Sequence, residues 1–275
     1  MKKDKNNCAD VVRKAFEQAS NDHFGVMFAS VVGSQNYGLA TDKSDIDMKV
    51  AIYPGFASYW RNSFPKGHSI IKGTNHSYDI LTVHDWFHNG VIKGNMNFFE
   101  PLYCDYIVTA DLETSKLMDK MRQLLEGSVI LVLQAQFHTA RRYLDDFMQN
   151  RECENQIWER NEYGYNSKSA ANAFRLLKFV QKFYNSGKID ITYCAPYSLE
   201  IRNGNKNEEE LRKFLTEMLQ ETGNMLFSNF GKMNEQLLVR RELFERDKTD
   251  SHEWNVLKEE IDMTLMKNNL KLIRA

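Results

Sequence analysis

An α+β fold is predicted for this chain, with strands confined to residues 1–115 and a helical region over 116–275. Three patterns support it. Short apolar runs rich in β-branched residues at 25–32, 45–52 and 77–83 read as strands. From Ser115 onward such runs almost vanish and apolar residues recur at helical intervals, which places the boundary between the two parts near 110–127. Between the first two strands a glycine-serine turn leads to two aspartates one residue apart, and this stretch is the strongest functional signal in the sequence.

In chain order, Ala9, Val11, Val12, Ala15 and Phe16 place an amphipathic helix over 8–20, closed by Asn21-Asp22. Gly25 to Val32 is a buried strand running into Gly33-Ser34, where a short helix can begin. The strand from Asp45 ends at the turn Tyr53-Pro54-Gly55. Residues 56–73 read as a loop with a short helix. Its Tyr59, Trp60, Arg61, Lys66 and Lys72 are of types that stack bases or hold phosphates, and that equally pack ordinary loops. After the strand from Ser77 to Val83, His84-Asp85-Trp86-Phe87 begins a helix. Later helices are expected through Leu117–Leu125 with Gly127 as the stop, over 128–149, from Ser167 to Phe183 ahead of Gly187, and at Glu208–Leu219, Gln236–Arg246 and His252–Met266.

Composition narrows the class. The 275 residues are 42% hydrophobic and 12% aromatic, enough for one large or two medium cores. Lys plus Arg number 36 against 37 Asp plus Glu, so no global basic field announces nucleic acid, although a local patch remains open. No apolar run approaches the roughly 18 residues of a membrane span. Lys2-Lys3-Asp4-Lys5 is not followed by a signal-peptide core, so a cytoplasmic protein without a membrane partner is expected. Cysteines at 8, 104, 153 and 194 show neither Cys-x-x-Cys spacing nor a nearby His pair, and they read as reduced structural thiols. No repeat, linker or low-complexity tract shows itself.

The chemistry sits at residues 33–50. Gly33 removes the Cβ that would block a ligand from the backbone, and Ser34 offers a hydroxyl and amides where a phosphate can rest. Strand alternation puts Ile46, Met48, Val50 and Ile52 on one face and Asp45 and Asp47 on the other. Cα atoms two residues apart on a strand are roughly 7 Å apart, close enough for both carboxylates to converge on one or two divalent cations. Hard oxygen donors with no Cys or His pair beside them favour Mg²⁺ or Mn²⁺ over Zn²⁺. Farther on, Lys168, Asn172 and Arg175, spaced by four and three, form one polar stripe on a helix that Ala170, Ala173, Phe174 and Leu177 pack.

Gly33-Ser34, Tyr37-Gly38 and then Ser44-Asp45-Ile46-Asp47 resemble the signature of the DNA polymerase β-like nucleotidyltransferase superfamily: Gly-Ser, a spacer of about ten residues, then Asp-x-Asp. Tyr-Gly and Ser-Asp-x-Asp are most similar to the bacterial and phage nucleotidyltransferase group associated with RNA repair. That group also carries Lys, His and Arg-Leu-Leu on a later helix. Here Lys168 and Arg175-Leu176-Leu177 match, and Asn172 stands where the group has His, so a hydrogen bond survives there but a charge does not. Leu199 to Gly204 is a further echo of the group.

The resemblance covers 25–103 and, more loosely, 165–210. It implies a small mixed β-sheet of the polymerase β-like palm type followed by a helical domain. It also implies transfer of a nucleoside monophosphate from an NTP, with ATP expected, to an acceptor hydroxyl, releasing pyrophosphate. On that reading Asp45 and Asp47 hold the metals, Gly33 and Ser34 cradle the triphosphate with Tyr37 and Ser44 beside them, and Lys168, Asn172 and Arg175 close over it. A third carboxylate, ligand and base, comes from a later strand; Asp79 fits that place, with Asp85 and Glu100 as competitors. The acceptor stays open among an RNA 3′ end, a protein side chain and a small molecule. Two other classes fit the same residues: an antitoxin-like interaction module and a non-catalytic nucleotide sensor.

Overall fold

The structure is a computed structural model that describes residues 5–22, 25–40, 44–53, 67–74, 76–127, 129–151, 157–193 and 195–226. The helices expected at 236–246 and 252–266, the turn at Pro54-Gly55, and Tyr59, Trp60, Arg61, Lys66, Cys153 and Cys194 lie outside the described residues.

Helix α1 (Lys5–Asp22) leads into strand β1 (Val26–Val32). A single helical turn, α2 (Ser34–Tyr37), follows, and then β2 (Asp47–Ile52), β3 (Gly67–Ile70) and β4 (Ser77–Thr82). Helix α3 (Val83–Trp86) continues as a π-helical stretch to Ile92, and α4 (Met96–Phe99) continues as a 3₁₀ turn from Glu100 to Tyr103. After β5 (Ile107–Thr109) the described chain is helical: α5 (Leu112–Gly127), α6 (Val129–Met148), α7 (Ile157–Tyr163), α8 (Ser167–Ser186), α9 (Ala195–Arg202) and α10 at 208–226.

The five strands form one mixed sheet in the order β3-β4-β2-β1-β5. Only the β2/β4 pair is parallel; it sets Asp47 opposite Ser77 and Lys49 opposite Asp79. Both faces of the sheet are covered. Val11, Val12, Ala15 and Ala19 of α1 pack on Ile46, Met48, Val50 and Ile52, the face that alternation predicted to be apolar. On the other face Phe28 and Ala51 join Trp86, Phe99 and the buried sides of α5, α6 and α8 in a second cluster, so the core runs from sheet to helices without a break at residue 115. Asp45, Asp47 and Lys49 are on this helical side, where the sheet's polar end meets α8.

Four elements depart from the sequence reading. Strand β3 falls inside the stretch read as a loop; Gly-His-Ser-Ile has no apolar alternation, and the segment is a strand because it pairs with β4 at the sheet's margin. Strand β5 is only three residues long and is recruited by β1. Helix α7 falls between the helices expected over 128–149 and from Ser167, and α9 begins ahead of the Leu199–Gly204 echo and overlaps it; both are short, so propensity alone is a weak guide to them.

Candidate active site

The site begins with the backbone of Gly33. Its φ of 71° and ψ of −143° lie where L residues with a side chain are strained. A Cβ there would also stand 3.1 Å from Asp47 Oδ2. Glycine thus permits both the turn and the close approach of the aspartate. The α2 turn is then fixed by its own bonds: the Asn36 and Tyr37 amides donate to the Gly33 carbonyl, and Leu39 N–H donates to Ser34 O at 2.8 Å. Gln35 Nε2 donates to the Asp45 carbonyl at 3.2 Å, which ties the turn to the aspartate segment.

An open cleft of about 790 Å³ lies in front of this turn. Ten of the residues singled out from the sequence line it: Gly33, Ser34, Tyr37, Ser44, Asp45, Asp47, Asp79, Lys168, Asn172 and Arg175. Asp45, just ahead of β2, and Asp47 and Lys49 within it alternate with buried Ile46 and Met48. Loss of water in the cleft, reinforced by the negative charge of Asp45, raises the Asp47 carboxyl above its usual range, while Lys168 from α8 and Lys49 pull it back. Burial lowers the Lys49 ammonium to about 8 against the attraction of Asp79 and Asp47, and its Nζ stands 5.5 Å from the Phe98 ring centroid.

Asp79 faces the same cleft and is held by His68 on the neighbouring strand, Nδ1 to Oδ1 at 3.0 Å, at an exposed position. Among the described residues no three His, Cys, Asp or Glu side chains stand close enough together to hold a metal. Asp45 and Asp47 nevertheless fit a hard cation. Mg²⁺ takes one or two carboxylates and completes its shell with substrate phosphates and water, and a divalent charge would offset both the loss of water and the Asp45 charge that raise Asp47. Asp85 is engaged elsewhere: its N–H donates to Thr82 Oγ1 and its carboxylate accepts from the same hydroxyl, each at 3.0 Å, at the start of α3. Lys72 is also elsewhere, its N–H donating to Gln18 of α1.

The opposite wall is α8. Asn166 caps it by accepting from Ser169 N–H at 3.0 Å, and buried Glu159 of α7 accepts from Lys168 N–H at 2.9 Å and Ser167 Oγ at 3.0 Å. Glu159 is also ion-paired with Arg202 of α9, so three helices fix the base of Lys168 while its ammonium stays at the cleft. Asn172 is half-buried. Arg175 differs from the solvated stripe that spacing suggests: it is 5% exposed, its guanidinium lies 3.6 Å from the Tyr37 ring centroid, and its Nη1 reaches Met96 Sδ at 3.1 Å.

Behind the turn lies Glu100, 2% exposed. It accepts from Gly33 N–H at 2.5 Å and from the Tyr37 hydroxyl. Burial pushes its carboxyl up to about 7, with the Gly33 amide, the Arg175 charge and Asn36 opposing the shift. Sequence reasoning weighed Glu100 as a rival third carboxylate, and did not single out Lys49, His68 or Glu159. Lys49 alone had a local signal, since it continues the polar alternation of Asp45 and Asp47.

Residues 9–177 match the family model described as the RNA repair pathway DNA polymerase beta family. Among solved structures, a nucleotidyltransferase-like protein from Exiguobacterium sibiricum is 14% identical, with 85% of this chain and 80% of that chain covered at a TM-score of 0.36. No curated protein matches the chain.

Proposed function

Because the chain belongs to the RNA repair pathway DNA polymerase beta family, a family of nucleotidyltransferases, we propose that it transfers a nucleoside monophosphate from an NTP, ATP foremost, to an acceptor hydroxyl, with pyrophosphate leaving. The observation that carries this reading is the cleft itself. Asp45 and Asp47, two residues apart, stand beside a glycine turn that lets Asp47 come close to the backbone, and a lysine on a separate helix faces them across the gap.

Asp45 and Asp47 would hold Mg²⁺ or Mn²⁺, which when bound neutralises charge developing on the transferring phosphoryl group. Ser34 and Ser44 line the wall by the turn and supply hydroxyl donors for phosphate oxygens. Lys168 supplies a mobile positive charge from the opposite wall, and Asn172 one turn farther along α8 adds a neutral donor. Asp79, held by His68, would take the proton of the attacking hydroxyl. An RNA 3′ end is the first acceptor to test, since the family's description points to RNA repair.

Pyrophosphate release that needs both a divalent cation and an acceptor is the expected activity; release of orthophosphate in its place would mean hydrolysis at the γ-phosphate. Asp79→Asn should lower kcat by about 10²-fold or more and leave NTP affinity nearly unchanged, because a proton acceptor acts in the chemical step. Asp85→Asn should behave as wild type in kcat. If the two variants exchange these phenotypes, the proton acceptor is Asp85.

A further inference from the structure

The turn that faces the triphosphate is braced from behind by a buried charged layer. Glu100 spans the α2 turn, one end of its carboxylate on the Gly33 amide and the other on the Tyr37 hydroxyl. Across the Tyr37 ring from α8 lies the Arg175 guanidinium, 3.6 Å from the ring centroid, and its charge acts on Glu100. Both charged residues are buried, 2% and 5% exposed, yet both line the floor of the cleft.

We propose that Glu100 is a positioning residue of the nucleotide site: it takes up the Gly33 N–H and neutralises Arg175, so that the triphosphate meets Ser34 and Lys168 while Gly33 and Arg175 are withheld from it. This rests on the reading of the cleft as a nucleotide site. A backbone amide already donating at 2.5 Å to a carboxylate is spent as a phosphate donor. A guanidinium whose charge is balanced by a buried carboxylate adds little net field to the cleft, and the same guanidinium beside a neutral side chain attracts phosphate. The proposal therefore departs from the expectation that Gly33 and Arg175 both grip the ligand directly.

A consequence in pH follows. The titratable and charged groups facing Glu100 are Tyr37 of α2, Arg175 of α8 and Cys104 beyond its own 3₁₀ turn. Burial pushes the Cys104 thiol up to about 12, so it stays neutral, and Arg175 stays charged. Glu100 is then the member of the layer that changes charge between pH 5.5 and 8.5. As pH falls it becomes neutral and uncovers the Arg175 charge, so triphosphate binding tightens.

The test is calorimetric titration of the full chain with ATP and Mg²⁺, without acceptor, for wild type and Glu100→Gln at pH 5.5 and pH 8.5. The expected ratio of affinities, Glu100→Gln over wild type, is near one at pH 5.5 and about tenfold at pH 8.5. Ionisation of ATP itself cancels in that ratio, and adenosine should show neither effect. A ratio that is the same at both pH values overturns the proposal. Tyr37→Phe gives a second route that keeps the ring for Arg175 and removes one hydrogen bond to the carboxylate. The pH midpoint of the affinity change should rise by about one unit, and an unmoved midpoint again overturns the proposal. If wild type itself binds no triphosphate at either pH, the reading of the cleft fails instead.

Discussion

Arg175→Ala should lower the unfolding free energy by about 2–3 kcal/mol at pH 8, more than an exposed arginine would cost. The added loss at that pH comes from Glu100, which without the Arg175 charge takes up a proton it gives up in wild type. Below pH 5.5 the same substitution should cost only about 1–2 kcal/mol, the value of the stacked contact on Tyr37. The sign follows from linkage. The folded-state value of Glu100 lies near 7, above the 4.5 of the ordinary side chain, so the folded protein binds more protons than the unfolded one between these values. Its contribution to stability is therefore greatest below pH 4.5 and falls as pH rises toward 7, by about 3 kcal/mol in wild type. Removing Arg175 raises Glu100 further and extends that fall beyond pH 7, by at most about 1.4 kcal/mol at pH 8. Urea unfolding of both proteins at pH 5.5 and 8 measures it, and an equal loss at both pH values would mean that Arg175 contributes packing alone.

Asp47→Asn should reduce pyrophosphate release by roughly 10³-fold while leaving the protein as stable as wild type or more so. The two halves of this prediction have one cause. The carboxyl is raised above its usual range by loss of water in the cleft and by the charge of Asp45, so its surroundings oppose its charge. A neutral amide of the same shape relieves that repulsion and forfeits the ligand. Thermal unfolding and a pyrophosphate assay on one preparation decide it. A variant that loses stability and activity together would point to a structural role for Asp47.

The parts of the site that were legible from sequence are those set by local periodicity. Asp45 and Asp47 share a face because strand residues alternate, and Ile46, Met48, Val50 and Ile52 pack on α1 for the same reason. Gly33-Ser34 reads as a turn because a β-branched run stops there, and Lys168, Asn172 and Arg175 share the cleft because of helical spacing. Depth along that stripe is not encoded in spacing. Lys168 is exposed at the first turn of α8, whereas Arg175, two turns on, is pressed against Tyr37 by the sheet. Glu100 follows Phe99 and precedes Pro101 in a 3₁₀ turn whose sequence says nothing of Gly33, 67 residues away. Its role exists only once the core has brought them together. The Glu159 cap of α8 is hidden for the same reason, being supplied by a short helix that propensity does not announce.

If Asp45 and Asp47 form a nucleotidyl-transfer site, the α-phosphoryl group of an NTP moves to an acceptor hydroxyl there. Incubating the protein and Mg²⁺ with an RNA bearing a free 3′ hydroxyl, once with ATP labelled at the α-phosphate and once with ATP labelled at the γ-phosphate, tests it most directly. The expected result is α-label on the RNA, γ-label recovered as pyrophosphate, and neither product from the Asp45→Asn, Asp47→Asn double variant. Transfer of the γ-label, or α-label transferred equally by the double variant, would contradict it.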